Sequence, residues 1–147
     1  MIVVIQRVLQ ASVLVEGQTI GQIGPGMLVL AAVQPGDGES QLTWMANKIA
    51  SLRIFRNAEK HFDVDVKQIN GSILLVSQFT LAADASQGRR PSFSGAMPPT
   101  EAEKLFARFV ELVAATGVPV QTGKFAADMK VSLINDGPAT FILKTEA

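Results

Sequence analysis

The sequence predicts an α+β domain: a mostly antiparallel, barrel-like β-sheet with two main helices packed on it. Three observations predict this class. Apolar runs of strand length, separated by Gly, Pro and Asn-Gly turn signals, occupy most of the chain. Only two stretches, near residues 42–49 and 105–113, carry apolar residues at three- and four-residue spacing. The strand-like runs mostly follow one another directly, as neighbours in antiparallel sheets do, instead of alternating with helices. With 147 residues, 48% apolar and 18% charged, the chain suffices for one folded domain, residues 1–147, with its own core.

Residues 2–8 read as a buried first strand. Val13 and Val15 lead through Glu16-Gly17 into a second alternating run at 19–23, a hairpin. Gly24-Pro25-Gly26 is a turn, residues 27–33 are another buried strand, and the Pro- and Gly-containing stretch 34–38 breaks the sheet. Leu42, Met45, Ala46 and Ile49 form the apolar stripe of a surface helix, with Trp44 off the stripe. Residues 53–56 suggest a short strand. Phe62, Val64 and Val66 alternate with Asp63 and Asp65, which suggests a strand with one wet face.

After Asn70-Gly71 comes the segment that organises the chain, Gly71 to Leu81. Ile73, Leu74, Leu75 and Val76 suit a strand buried on both faces; Ser77, Gln78, Phe79 and Thr80 then interrupt it. A core strand that turns polar at its C-terminal end either satisfies those groups by hydrogen bonds or opens onto a cleft. A strand running out into a solvated loop fits the same pattern, and pattern alone does not choose. Residues 82–99 form a long loop with Gly88, Arg89, Arg90 and Pro91, and long ordered loops are often functional. Thr100 and Glu103 have capping-box spacing ahead of a helix carrying Leu105, Phe106, Phe109, Val110 and Val113. Val118-Pro119-Val120 suggests an edge strand. Two further strands, 128–134 and 139–143, are expected on either side of a turn at Asn135-Asp136-Gly137-Pro138.

Composition narrows the chemistry. There is no cysteine, so disulfides and thiolate catalysis are excluded. The opening MIVVIQRV reads as a strand and not a signal peptide, and no apolar run reaches membrane-span length. A cytoplasmic location with no membrane partner is the expectation. Thirteen basic and thirteen acidic residues cancel, so no global field attracts long duplexes; a nucleic-acid end held by local contacts fits better. One histidine, His61, and no cysteine cannot build a common zinc site, and no Ser-His-Asp arrangement is available without His61. The expectation is no metal and no cofactor. What remains is the hydroxyl, amide and backbone cluster at residues 77–80 and the Gly137-Pro138 peptide, where a cis bond is inexpensive.

Three stretches, Ser77-Gln78-Phe79-Thr80-Leu81, Gly88-Arg89-Arg90-Pro91-Ser92-Phe93 and Asn135-Asp136-Gly137-Pro138-Ala139-Thr140, resemble the D-aminoacyl-tRNA deacylase family, and the likeness runs through the whole chain. The resemblance implies a cytoplasmic homodimer that hydrolyses the ester between a D-amino acid and the 3′-terminal adenosine of tRNA. It also implies removal of glycine mischarged onto alanine tRNA. Ser77, Gln78, Phe79 and Thr80 would line the pocket. Gly137 and Pro138, joined by a cis bond, would reach into the other subunit's pocket and reject L-amino acids.

The tRNA's terminal 2′-hydroxyl would assist the attacking water, with backbone N–H groups near Phe79 and Thr80 stabilising the oxyanion. Arg7 would brace the Gly-Pro carbonyls, and Phe125 with Met129 would hold the adenosine; for Arg7 a surface ion pair, and for the other two core packing, are the alternatives. The chain departs from the family pattern at Ala82, Ala126 and Ala139, where an aromatic, a glycine and a valine are usual. Two other classes stay open: a hydrolase using Thr80 or Ser77 as nucleophile, and a non-catalytic module that binds a nucleotide end.

Overall fold

A computed structural model describes residues 1–146, and its longest early element already departs from the sequence reading. Strand β1 runs unbroken over Ile2–Val15. Its length lets it serve several partners. On one side its first half pairs with β3 (Gly26–Ala32) and its second half with β2 (Gln18–Ile23), both antiparallel. On the other side it pairs with β6 (Lys130–Lys144), also antiparallel. Strand β4 (Ser72–Ser77) joins β3 in parallel, and β5 (Val120–Thr122) joins β4 in parallel. The sheet is therefore mixed, because the chain crosses over through helices before β4 and β5.

Helix α1 (Glu39–Ser51) and helix α2 (Pro99–Ala115) are those crossovers. The sheet curls until its edges approach. A Cβ at Gly21 on β2 would lie 2.5 Å from the Thr122 carbonyl oxygen on β5, so only glycine lets these strands come so close. The result is a nearly closed barrel with two helices on it.

β4 explains why the core divides in two. Ile73 and Leu75 face the helices, where they meet Leu42, Met45 and Ile49 of α1 and Phe106, Phe109 and Val113 of α2. Leu74 and Val76 face the barrel interior with Val8, Val13, Ile23 and Leu28. All four β4 side chains are buried, as a strand covered on both faces requires. Each such side chain contributes roughly 1.5–3 kcal/mol through burial.

The two expected C-terminal strands are one. Gln6 pairs with Thr140 and Val8 with Asn135, so residues 136–139 stand opposite Arg7 alone. Asn135-Asp136-Gly137-Pro138 is thus a bulge within β6, not a hairpin turn. Asn135 closes it: its Oδ1 accepts the Ala139 N–H at 2.9 Å and its Nδ2 donates to Thr140 Oγ1 at 2.9 Å.

The short strands expected at 53–56 and 62–66 reduce to a single Phe55–Val64 bridge. Side-chain bonds hold that segment instead: Asn57 Oδ1 accepts the Glu59 and Lys60 N–H groups, and Arg53 pairs with Asp63 at 2.7 Å. The Thr100–Glu103 capping box does not form. Pro99 occupies the first turn of α2, and the Pro98 carbonyl accepts the Ala102 N–H at 3.0 Å, so the helix starts ahead of Thr100. β4 also stops at Ser77, earlier than Leu81.

Candidate active site

Beyond Ser77 the backbone leaves the ladder in steps. The Gln78 N–H donates to the Ala31 carbonyl at 2.8 Å, a last tie to β3. A single 3₁₀ turn, Phe79–Ala82, follows, closed by Leu81 N–H to Gln78 O and Ala83 N–H to Thr80 O, each 3.1 Å. The leading N–H groups of such a turn have no partner inside it. The Gln78 side-chain amide donates to Thr80 Oγ1. Phe79 is 61% exposed, and its ring leans on that of Phe93 with centroids 5.4 Å apart.

This strand end forms one wall of a cavity of about 600 Å³. Ser77, Gln78 and Phe79 line it from the end of β4 and the turn after it, Pro98, Pro99, Ala102 and Phe106 from the first half of α2 and the residue before it, and residues 125–129 from the connection between β5 and β6. The Phe125 ring sits 6.2 Å from Phe106. Ala126 takes φ +62°, the left-handed region in which a glycine is at ease, and the family pattern has a glycine there. Asp128 is the cavity's one titratable side chain, and Lys130 Nζ holds it at 3.1 Å.

The sequence-derived candidates therefore fall into two groups. Ser77, Gln78, Phe79, Phe125 and Met129 share the cavity, and Thr80 joins them through Gln78. Arg7, Gly137 and Pro138 form a second group that does not line it. Arg7 lies inside β1 and is only 3% exposed, so it is not the surface ion pair that the sequence left open. Its Nε donates to the Asp136 carbonyl at 2.9 Å, and its Nη1 to the carbonyls of Ile54 at 2.8 Å and His61 at 3.2 Å. Its guanidinium also lies 5.2 Å from the Phe62 ring centre.

Burial, then the nearby Arg56 charge, pulls the Arg7 pKa below the ordinary arginine value, and Asp136 opposes them. The Gly137-Pro138 bond is cis, both residues are exposed, and Gly137 has φ +138°. A Cβ on Gly137 would stand 2.9 Å from Arg7 Nη2 and from the Ala139 nitrogen. Side chain and bulge are fitted to each other.

Sequence reasoning gave no role to Phe93, Asn135, Phe62 or Asp136. Phe93 and Asn135 stood inside quoted motifs, but their contacts join segments that only the fold brings together. Among the described residues, no three His, Cys, Asp or Glu side chains cluster as a metal site requires, and no helix is long and apolar enough to cross a membrane.

Comparison with known proteins gives a consistent picture. A family model described as D-Tyr-tRNA(Tyr) deacylase matches residues 4–144. The chain is 54% identical over 144 residues to a D-aminoacyl-tRNA deacylase of Geobacter sulfurreducens, covering 98% of this chain and 95% of that one. It is 55% identical over 144 residues to one from Shewanella loihica, covering 98% and 99%. A solved structure titled c-Myc DNA Unwinding Element Binding Protein superposes with a TM-score of 0.93 at 39% identity, covering all of both chains. A probable eukaryotic D-amino acid tRNA deacylase shares the fold, with a TM-score of 0.81 at 18% identity and 97% of each chain covered.

Proposed function

The chain belongs to the D-aminoacyl-tRNA deacylase family and is a hydrolase; from that premise we propose that it works as a cytoplasmic homodimer clearing D-amino acids, and glycine mischarged on alanine tRNA, from the tRNA 3′ end. One observation carries the reading. The cavity joins the polar end of β4 to the Phe125–Met129 side, so an aminoacyl group and an adenine fit in one continuous space. An aromatic ring stacking on a base is worth about 1–3 kcal/mol, which suits Phe125.

The Gly137-Pro138 bulge supports the second half of the reading. Arg7 and Asn135 clamp it, yet neither Gly137 nor Pro138 lines its own chain's cavity. On the same strand Ile134 and Ile142 are 48% and 65% exposed, a face suited to a second copy. Docked there, the bulge enters the partner's cavity, and an L-side chain collides with it where a D-side chain or the hydrogen of glycine does not.

Catalysis then rests on positioning. The N–H groups of Phe79 and Thr80, at the start of the 3₁₀ turn, face the developing oxyanion, and one such donor supplies about 3–4 kcal/mol in a dry site. The tRNA's own 2′-hydroxyl assists the water. Thr80 positions and does not attack: its hydroxyl oxygen accepts from Gln78, and no base adjoins it. No metal or cofactor has a part in this scheme.

The test is release of free amino acid from D-tyrosyl-tRNA. Thr80→Ala is expected to slow that release by about 3- to 10-fold, the scale of one hydrogen bond, and to yield no acyl-enzyme on quenching. A trapped adduct on Thr80 in the native protein would return it to the role of nucleophile.

A further inference from the structure

The Gly88-Arg89-Arg90-Pro91 tip has no part in the scheme above, yet the fold places it beside the cavity mouth. Residues 84–92 are pinned as a hairpin by reciprocal bonds, Asp84 N–H to Ser92 O at 2.9 Å and Ser92 N–H to Asp84 O at 2.8 Å. Gly88 turns the tip at φ +64°, and Arg89 and Arg90 beside it are both exposed. Phe93, directly after the pinned pair, lines the cavity and leans on Phe79. Two residues separate Arg90 from Phe93, so the chain between them spans ~11 Å at most.

These two arginines differ from the rest. Arg7 and Arg56 engage Asp136, Arg53 engages Asp63, and Arg108 engages Glu39 and Glu111. Arg89 and Arg90 make no ion pair among the described residues. The one carboxylate of their loop, Asp84, is turned back onto the Ser86 hydroxyl and N–H at 2.6 and 2.9 Å. The whole chain carries no net charge, so attraction for a polyanion has to be local.

We propose that Arg89 and Arg90 grip the phosphodiester backbone of the single-stranded tRNA 3′ end where it leaves the cavity, just ahead of the terminal adenosine. The inference rests on the tRNA-ester reading above and names the part of the substrate that the cavity does not hold. Arginine suits the task because its planar fork meets two phosphate oxygens at once. Such contacts carry no sequence preference; they fix the strand's direction and register and so deliver the ester to Phe79 and Thr80. A grip of this kind serves any tRNA, whatever amino acid it bears.

The experiment is the salt dependence of binding to uncharged tRNA, which requires no turnover. Two phosphate contacts on a single strand contribute about 1.4 to the slope of log affinity against log salt. The double variant R89Q/R90Q is therefore expected to lose about 1.4 of that slope. Equivalently, native protein should lose about sevenfold more affinity than the variant between about 50 and 200 mM salt. R89K/R90K should keep the slope while binding more weakly, which a purely structural role of the loop would not produce. K48Q, a charge removed from α1, should change neither.

Matching thermal melts would show that the exposed tip is not needed for folding. An R89Q/R90Q slope equal to native would overturn the proposal, as would an equal loss in K48Q. Native protein that binds through these arginines but releases no D-amino acid would uphold this inference and remove the proposed function.

Discussion

D-tyrosyl-tRNA ending in 2′-deoxyadenosine is expected to be hydrolysed about 10²- to 10⁴-fold more slowly than the ordinary ester, the range spanned by a positioned proton-transfer group. The cavity offers little else for that work. His61 is used only through its carbonyl, which accepts from Arg7. Asp128 is exposed and tied to Lys130. Thr80 is engaged by Gln78, and Ser77 has no base beside it. The remaining lining is apolar or amide. With the backbone donors unchanged, deleting the substrate's hydroxyl removes the assisting group and nothing in the protein replaces it. Single-turnover rates on the two esters make the comparison, and equal rates would place the catalytic base or nucleophile in the protein.

The second large effect falls on stability. Arg7→Met is expected to cost about 3–5 kcal/mol, because it removes a buried charged donor and strands one buried and two part-buried acceptors. The carbonyls of Ile54, His61 and Asp136 all lose their bond to the guanidinium, and Phe62 loses its cation. Part of the loss is offset, since burial already disfavours the Arg7 charge. Lysine does not rescue the site: a single ammonium cannot span three carbonyls set around a planar fork. Urea unfolding checks this through a lower midpoint at unchanged slope. A shift equivalent to under about 1 kcal/mol would mean that water takes over the carbonyls. The same variant frees the Asp136 carbonyl beside Gly137, so discrimination between D- and L-esters should weaken along with stability.

The parts of the fold legible in the sequence were those set by local periodicity. Ile73 to Val76 read as a strand buried on both faces, and each face meets its own cluster. The α1 stripe of Leu42, Met45, Ala46 and Ile49 is fully buried. What failed was set by contacts remote in sequence. Asn135-Asp136-Gly137-Pro138 has the composition of a hairpin turn, but pairing with β1 on both sides and a bond from Arg7, 129 residues away from Asp136, hold it as a bulge in a continuous strand. Phe62, Val64 and Val66 alternate as a strand does, but the Arg53 side chain takes the Asp63 carbonyl that a ladder would have used, and pairing stops at the Phe55–Val64 bridge. Thr100 and Glu103 have the spacing of a cap, yet Pro99 already fits the first helical position.

For the site, a buried strand turning polar at Ser77–Phe79 left a cleft and a solvated loop equally open in the sequence. The facing wall at Phe125 and Met129 came only from family resemblance, because core packing explains those side chains equally well in sequence. Phe93 was invisible for another reason: its partner Phe79 lies across a loop whose path no local pattern fixes.

Paired deacylation of D- and L-tyrosyl-tRNA, by native protein and by the Gly137→Ala/Pro138→Ala variant, tests the central claim most directly. The account predicts that native protein frees D-tyrosine and spares the L-ester, while the variant attacks both. Native protein that cleaves both isomers alike, or a variant that keeps the full preference for D, would contradict it.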